Sequence, residues 1–362
     1  MQFIRSSDNI NYMENIIHGA NPENLYKAFK IEMPEKIFDF STNTNILSWP
    51  KIKIDVEKLA SSYPDINCKK LTKLISQREN INPEKILFTN GINEAIFLLA
   101  KIFQNLVAPE KGRCHLMTEG SDIAILQPCY SEYSRAFRNL RSIFNFNDVE
   151  KFKAVIICNP NNPTGKYIKK LSDIIKKFPK TFFIIDEAYI DFLINEIPEK
   201  LSEFENVILL RSLTKIFHLS GVRIGYVIAN EKIISAMKNL QPSWSVDSIA
   251  QELALKFLND KEFYEITKNF YCEQTPKFIS NLRASNFEVI DSSVNYFLVK
   301  VENDFETIKF LLQHGIVVRH TRNFETLNGK YIRVATRFED ENKFFLEVMK
   351  DFRKFFVAYM KK

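Results

Sequence analysis

Six short apolar runs between residues 86 and 228 constrain this chain more than any other feature. They are Ile86–Thr89, Ile123–Leu126, Ala154–Cys158, 181–185, 207–210 and 224–228, and each is continuously apolar rather than alternating. A strand with one wet face alternates apolar and polar residues, whereas one covered on both faces need not. Between the runs lie stretches with helical spacing. In 92–103, for example, Ile92, Ala95, Ile96, Leu99 and Phe103 share one face. The pattern predicts an α/β fold, with a large domain built on a mostly parallel sheet and helices on both sides.

Beyond about residue 247 the rhythm changes. Residues 247–283 read as one long helix, 287–291 and 295–301 as strands, and 304–314 as a helix. Short strands at 317–319 and 331–335 lead to a last helix. Thr336-x-x-Glu339 has the form of a capping box in front of that helix, and Phe344, Phe345, Val348, Phe352, Phe355 and Phe356 line one side of it. The expected division is an N-terminal arm (1–35), a large domain (36–245), and a linking helix with a smaller α+β domain (246–362).

Composition narrows the partners. Fifty basic and 44 acidic residues give the 362-residue chain a net charge of +6. The lysines are spread along helix surfaces rather than gathered into a stripe, so no nucleic acid is expected, and the mild excess favours small anions. The five cysteines form no CxxC pair and the five histidines no HExxH spacing. No metal and no disulfide framework are expected, and the compartment reads as reducing. With no apolar signal segment and no run near the ~18 residues of a membrane span, the sequence reads as cytoplasmic and membrane-free.

The chemistry is concentrated between residues 158 and 225. Asn159-Pro-Asn-Asn-Pro-Thr-Gly165, Asp186-Glu-Ala-Tyr189, Ser212-Leu-Thr-Lys215 and Gly221-Val-Arg-Ile-Gly225 each lie beside an apolar run. Those that follow a strand sit at its C-terminal end, where open α/β sheets bind ligands. A carboxylate ending a buried strand, Asp186, demands a cation or strong donors. A lysine flanked by hydroxyls, Lys215, suits a nucleophilic amine at the edge of an anion cradle, and Arg223 nearby would help depress its pKa. A protonated pyridine ring would satisfy Asp186 and act as an electron sink. Taken singly, Asp186 could be a helix cap and Lys215 a surface residue; the four clusters in this order argue for a site.

This motif set resembles that of fold-type I enzymes dependent on pyridoxal 5'-phosphate (PLP), in the subgroup of histidinol-phosphate aminotransferase and threonine-phosphate decarboxylase. The resemblance covers about residues 18–350. It implies the aspartate aminotransferase-like fold, with a seven-stranded sheet and a smaller C-terminal domain. It further implies that Lys215 carries the cofactor and shuttles protons, and that Asp186 pairs with the ring nitrogen. Tyr130 would stack on the ring, while Asn162 and Tyr189 would bond the phenolic oxygen. The phosphate would rest on Gly91, Ile92 and Asn93 with Ser212, Thr214 and Arg223. Tyr63 would reach it from the partner subunit of a homodimer.

For the substrate, the resemblance implies that Arg333 holds the α-carboxylate and Arg319 a phosphate, with Arg322 and Arg337 near enough to share the task. PLP chemistry leaves the reaction open, because the bond held perpendicular to the ring is the one that breaks. The arm discriminates. His18-Gly-Ala-Asn21 and Asp39-Phe-Ser-Thr-Asn43-Thr-Asn45 resemble the threonine-phosphate decarboxylase pattern more than the aminotransferase one, with His18 and Asn43 as substrate contacts. Ala20 and Asn45-Ile-Leu-Ser48 depart from that pattern. The expected activity is therefore decarboxylation of an O-phospho-L-amino acid, L-serine phosphate or L-threonine phosphate, to the amino-alcohol phosphate. The alternative is a histidinol-phosphate-type aminotransferase using glutamate and 2-oxoglutarate.

Overall fold

A computed structural model describes Gly19, residues 21–105 and residues 122–360. The chain forms two compact units: Thr44–Asn162 with Tyr167–Lys268, and Met1–Asn43 with Pro163–Lys166 and Asn269–Lys362. The strands, in chain order, are β1 (Phe38–Asp39), β2 (Ile86–Thr89), β3 (Ile123–Leu126), β4 (Arg141–Ile143), β5 (Ala154–Cys158), β6 (Phe182–Asp186), β7 (Val207–Ser212), β8 (Gly225–Ile228), β9 (Tyr296–Lys300), β10 (Ile316–Val317), β11 (Arg319–His320) and β12 (Tyr331–Ala335).

The larger unit is built on a seven-stranded sheet in the order β2-β8-β7-β6-β5-β3-β4. All neighbours run parallel except β8, which is antiparallel to β2 and β7. Every residue of β2, β5 and β8 is buried, which is why these runs carry no polar alternation. The seventh strand, β4, has no apolar run: Arg141 and Ser142 are exposed at the sheet edge, with β3 as the one neighbour among the described residues. Because β5, β6 and β7 are parallel, their C-terminal residues Cys158, Asp186 and Ser212 emerge along one edge.

The smaller unit has an antiparallel sheet, β11-β12-β9, and a parallel pair, β1-β10. Its core gathers Tyr26, Phe29, Phe40, Phe278, Phe297, Phe345 and their neighbours. The N-terminal segment is part of this core. Phe40 is fully buried with its ring 5.0 Å from Phe345, and the Tyr26 hydroxyl donates to the Leu312 carbonyl at 3.1 Å. Aromatic burial therefore draws residues 38–43 to the C-terminal unit rather than to the expected 36–245 domain. The changeover on the other side falls at residue 268, not 245.

Smaller differences have local causes. The expected long helix breaks at Asp260, into Ser248–Asn259 and Lys261–Ala284, and the Asp260 carboxylate caps the second by accepting from the Phe263 N–H. The expected strand 287–291 reduces to a single bridge between Val289 and Val299. The 317–319 run changes partner at Val318, so that Ile316–Val317 joins β1 and Arg319–His320 joins β12. The capping box does not form, because the Thr336 hydroxyl is buried against that of Thr275 (2.9 Å) and the last helix starts at Glu339. On that helix Phe345 and Val348 are buried, but Phe344 and Phe355 are exposed.

Candidate active site

The C-terminal edge of β5–β7 collects the polar residues of the larger unit. Ser212 ends β7, and the short helix Leu213–Ile216 carries Lys215. The hydroxyls of Ser212 and Thr214 are 2.8 Å apart, and both residues are buried. Lys215 is half-buried, with Nζ 6.0 Å from the centre of the buried Tyr189 ring. Its backbone is held by Asn45, whose N–H donates to the Lys215 carbonyl (2.9 Å) and whose Nδ2 donates to the Ile216 carbonyl (3.0 Å) and to Thr267 Oγ1 (2.9 Å). Asn45 stands in the arm motif, which by itself marks no role for it. A fully buried asparagine that donates one backbone and two side-chain bonds is a clamp on the lysine's turn.

Asp186 ends β6 and is buried. Its Oδ2 accepts from the Tyr133 hydroxyl and its Oδ1 from the Ala188 N–H, both at 2.9 Å. Burial pushes this carboxyl above the usual carboxylate range, while the two donors and Lys215 pull the other way. Tyr133, like Asn45, carries no mark of its contact in the sequence beyond its place three residues after Tyr130.

Around this pair, two loops are tied together. The Asn162 N–H donates to Cys158 Sγ at 3.3 Å, and Asn161 Nδ2 donates to the Pro128 carbonyl at 2.8 Å. Asn159 is committed to the backbone of Ile168 through both ends of its amide (3.1 and 2.7 Å). Tyr130 is half-buried and hydrogen-bonded by Asn93. Burial chiefly pushes its phenol up to about 12, with Arg223 acting against the rise.

Gly91 has φ +64°, and a Cβ built on it would lie 2.8 Å from Arg223 Nη2. The left-handed backbone there favours glycine, and a larger residue would also have to displace that guanidinium from the first turn of the helix Gly91–Asn105. The N–H groups of Gly91, Ile92 and Asn93 open that helix and so lack intrahelical acceptors, which suits an anion. Arg223 itself is exposed, at φ 54°, with Nη1 donating to the Ser220 carbonyl at 2.9 Å. Gly225 permits a second close approach, since a Cβ there would meet the Arg211 carbonyl at 2.8 Å and the Ile92 nitrogen at 3.2 Å.

These groups match what PLP needs: a buried carboxylate for a protonated ring nitrogen, an amine for an aldehyde, and an anion cradle for a phosphate. Among the described residues no cluster of three or more His, Cys, Asp or Glu could hold a metal ion. Nor is any of their helices long and apolar enough to cross a membrane.

The smaller unit holds its own charged set. Arg319 and Arg333 are buried and lie directly opposite each other across β11 and β12. Like charges so placed repel unless an anion intervenes. Arg319 Nη2 donates to Asn323 Oδ1 and Arg333 Nη2 to the Ser41 carbonyl, both at 2.7 Å. The Asp39 carboxylate folds the next turn by accepting from the Ser41 N–H and from the hydroxyls of Ser41 and Thr42. Asn43 is buried beyond it, and its carbonyl accepts from Asn295 Nδ2 at 3.2 Å. The turn thus brings Asn43 to the Arg333 neighbourhood. Arg322 and Arg337 are committed elsewhere, the first to Asp304 (2.8 and 2.5 Å) and the second to Glu341 (2.9 Å). Neither is a spare cation. His18 lies outside the described residues.

A family model for class I and II aminotransferases matches residues 51–347. The chain belongs to that family. Its cofactor is PLP, and the aspartate aminotransferase-like fold expected from the motifs is the one found. Histidinol-phosphate aminotransferase of Methanococcus aeolicus is 30% identical, over 92% of this chain and 95% of the relative. The adenosylcobalamin biosynthesis bifunctional protein CobDQ of Leptospira interrogans is 32% identical over 90% of this chain, which spans only 40% of that longer relative. Among solved structures, histidinol-phosphate aminotransferase from Clostridium acetobutylicum superposes with a TM-score of 0.75 at 26% identity, covering 87% of this chain and 98% of that one. L-threonine-O-3-phosphate decarboxylase from Porphyromonas gingivalis superposes at 0.73 and 23% identity, covering 88% and 100%. That last likeness speaks for the fold alone.

Proposed function

We propose that this family member decarboxylates an O-phospho-L-amino acid, L-serine phosphate or L-threonine phosphate, to the amino-alcohol phosphate and CO2. The observation that carries the reading is the buried Arg319–Arg333 pair beside the 39–43 turn. Two adjacent guanidiniums ask for two anions close together, as on a short phospho-amino acid, and arginine's fork suits both carboxylate and phosphate. The turn is built from the Asp-Phe-Ser-x-Asn segment, whose pattern is the decarboxylase-like one.

When bound, PLP supplies a ring that accepts electrons from a bond to the substrate's α-carbon. Lys215 Nζ is the amine that carries the cofactor and, once released, the group that moves a proton to or from that carbon. Asp186 holds the ring nitrogen's proton, Tyr130 covers the ring, and Asn162 and Tyr189 bond the phenolic oxygen. Gly91, Ile92, Asn93, Ser212, Thr214 and Arg223 take the phosphate, joined by Tyr63 of a second subunit. Arg333 grips the carboxylate, Arg319 the substrate phosphate, and His18 and Asn43 complete the contacts.

A second reading, amino transfer from a histidinol-phosphate-type substrate, is favoured by the names of the relatives at about 30% identity. The two separate cleanly. Purified enzyme with each phospho-amino acid, and with histidinol phosphate plus 2-oxoglutarate, is followed for CO2 and by phosphorus NMR. CO2 without 2-oxoglutarate is the expected result; transamination of histidinol phosphate with no CO2 would overturn it. Arg319→Ala is expected to lower kcat/KM for the phosphorylated substrate about ten- to hundredfold, the scale of a charge-assisted hydrogen bond, and to change turnover of free serine little.

A further inference from the structure

Two neutral donors seat the Asp186 carboxylate. Tyr133 is fully buried on the short helix Glu132–Ala136, one turn after Tyr130, and its hydroxyl donates to Asp186 Oδ2 at 2.9 Å. The Ala188 N–H takes the other oxygen. Burial and the neighbouring carboxylate hold the phenol well above its ordinary range, so it stays protonated and acts as a donor. The thiols of Cys129 and Cys158, both buried and outside any disulfide, also raise the phenol. Among the described residues, Lys215 is the cation that acts on Asp186.

We propose that Tyr133 is a positioning residue that fixes the plane and the negative charge of Asp186 for the ring nitrogen of PLP. A carboxylate this deeply buried tends to take up a proton. A protonated Asp186 would face the ring nitrogen with a neutral group and could no longer hold a proton on it. The phenol opposes this because its hydrogen bond is stronger to the charged carboxylate than to the neutral acid. Being neutral, it does so without cancelling the charge that the ring needs. The role is independent of which substrate bond breaks, so it stands apart from the decarboxylase reading.

The test compares Tyr133→Phe with enzyme carrying 3-fluorotyrosine at position 133, a more acidic phenol and a stronger donor. In the apoenzyme, with aspartate labelled at its side-chain carboxyl carbon, carbon NMR follows the Asp186 titration, assigned by its absence in Asp186→Asn. In the loaded enzyme, dialysis and visible absorbance give the PLP dissociation constant. Tyr133→Phe is expected to move the Asp186 titration to higher pH and to weaken PLP binding about tenfold, the scale of one hydrogen bond to a charged group. The fluorinated enzyme should move the titration the opposite way. An unmoved titration in both, or PLP binding within twofold of wild type in a folded Tyr133→Phe, would overturn the proposal. If Tyr133→Phe does not fold, the fluorinated enzyme alone decides, since it keeps the hydroxyl and the packing.

Discussion

Asp186 is the residue at which folding and function pull in opposite directions. Its folded pKa is raised, first by burial, so the stability it lends is fully present below the unfolded value near 3.9 and is lost as pH rises through the folded value. The apoprotein should therefore lose stability over that window, and a protonated ring nitrogen restores it by supplying the missing cation. Asp186→Asn removes the titration while its amide still reaches both Tyr133 and Ala188, because the phenol can turn and accept. The variant apoprotein is expected to melt at neutral pH no lower than wild type, yet to hold PLP more weakly and lose about 10²–10³ in kcat, the order seen when a transition-state charge partner is removed. Calorimetry of the apo forms and steady-state kinetics of the loaded forms check the two halves. Lys215 has a simpler test. Lys215→Ala should abolish turnover and leave no protein-bound PLP after borohydride treatment and denaturation, as read by mass spectrometry; cofactor fixed to another lysine would reassign the role.

At the scale of elements, the candidate site depends on how β6 and β7 are joined beside their C-terminal ends. Glu187 follows Asp186, Arg211 precedes Ser212, and the buried Glu187 forms an ion pair with the half-buried Arg211, which also has Glu79 at 3.7 Å. Burial pushes Glu187 up and would push Arg211 down, but the facing carboxylates outweigh it and hold the guanidinium charged. Removing one partner strands the other, so Arg211→Met is expected to cost about 3–5 kcal/mol, and the double variant Arg211→Met/Glu187→Gln far less. Urea unfolding of the singles and the double gives the coupling directly. This pair also shows what was legible in the sequence. The apolar runs and polar clusters were, because strand burial and loop chemistry leave local signatures. Asp186, Lys215 and Arg223 stand in such clusters and are proposed for that reason. Tyr133, Asn45 and Arg211 act through partners 53, 171 and 24 positions away, and no local pattern marks such a contact. The edge strand β4 and the false capping box at Thr336 failed likewise, the first for want of a buried face and the second because a distant hydroxyl, Thr275, took the cap.

At the scale of the whole molecule, the proposed homodimer turns on Tyr63. This tyrosine is 81% exposed, its ring 4.6 Å from that of Trp244, which is 47% exposed; Ile66, nearby in sequence, is 53% exposed. Three large apolar side chains left open on one chain make a natural place for an interface. If Tyr63 serves the partner's phosphate cradle, each site of a twofold dimer contains Lys215 from one chain and Tyr63 from the other. Two defective variants then complement. Lys215→Ala keeps a sound Tyr63, and Tyr63→Ala keeps a sound Lys215. In a mixed dimer, the site on the Tyr63→Ala chain has its own lysine and its partner's tyrosine, while the other site lacks both. Equal amounts of the two variants, unfolded together and refolded with PLP, should place half the dimers in the mixed form with one working site each, and so recover about a quarter of wild-type activity. Refolded separately and then combined without exchange, they should recover none beyond the residual activity of Tyr63→Ala. If Tyr63 instead serves its own chain, the mixed dimer carries no complete site and co-refolding adds nothing. The recovered fraction therefore reads out whether this active site is built from one chain or two.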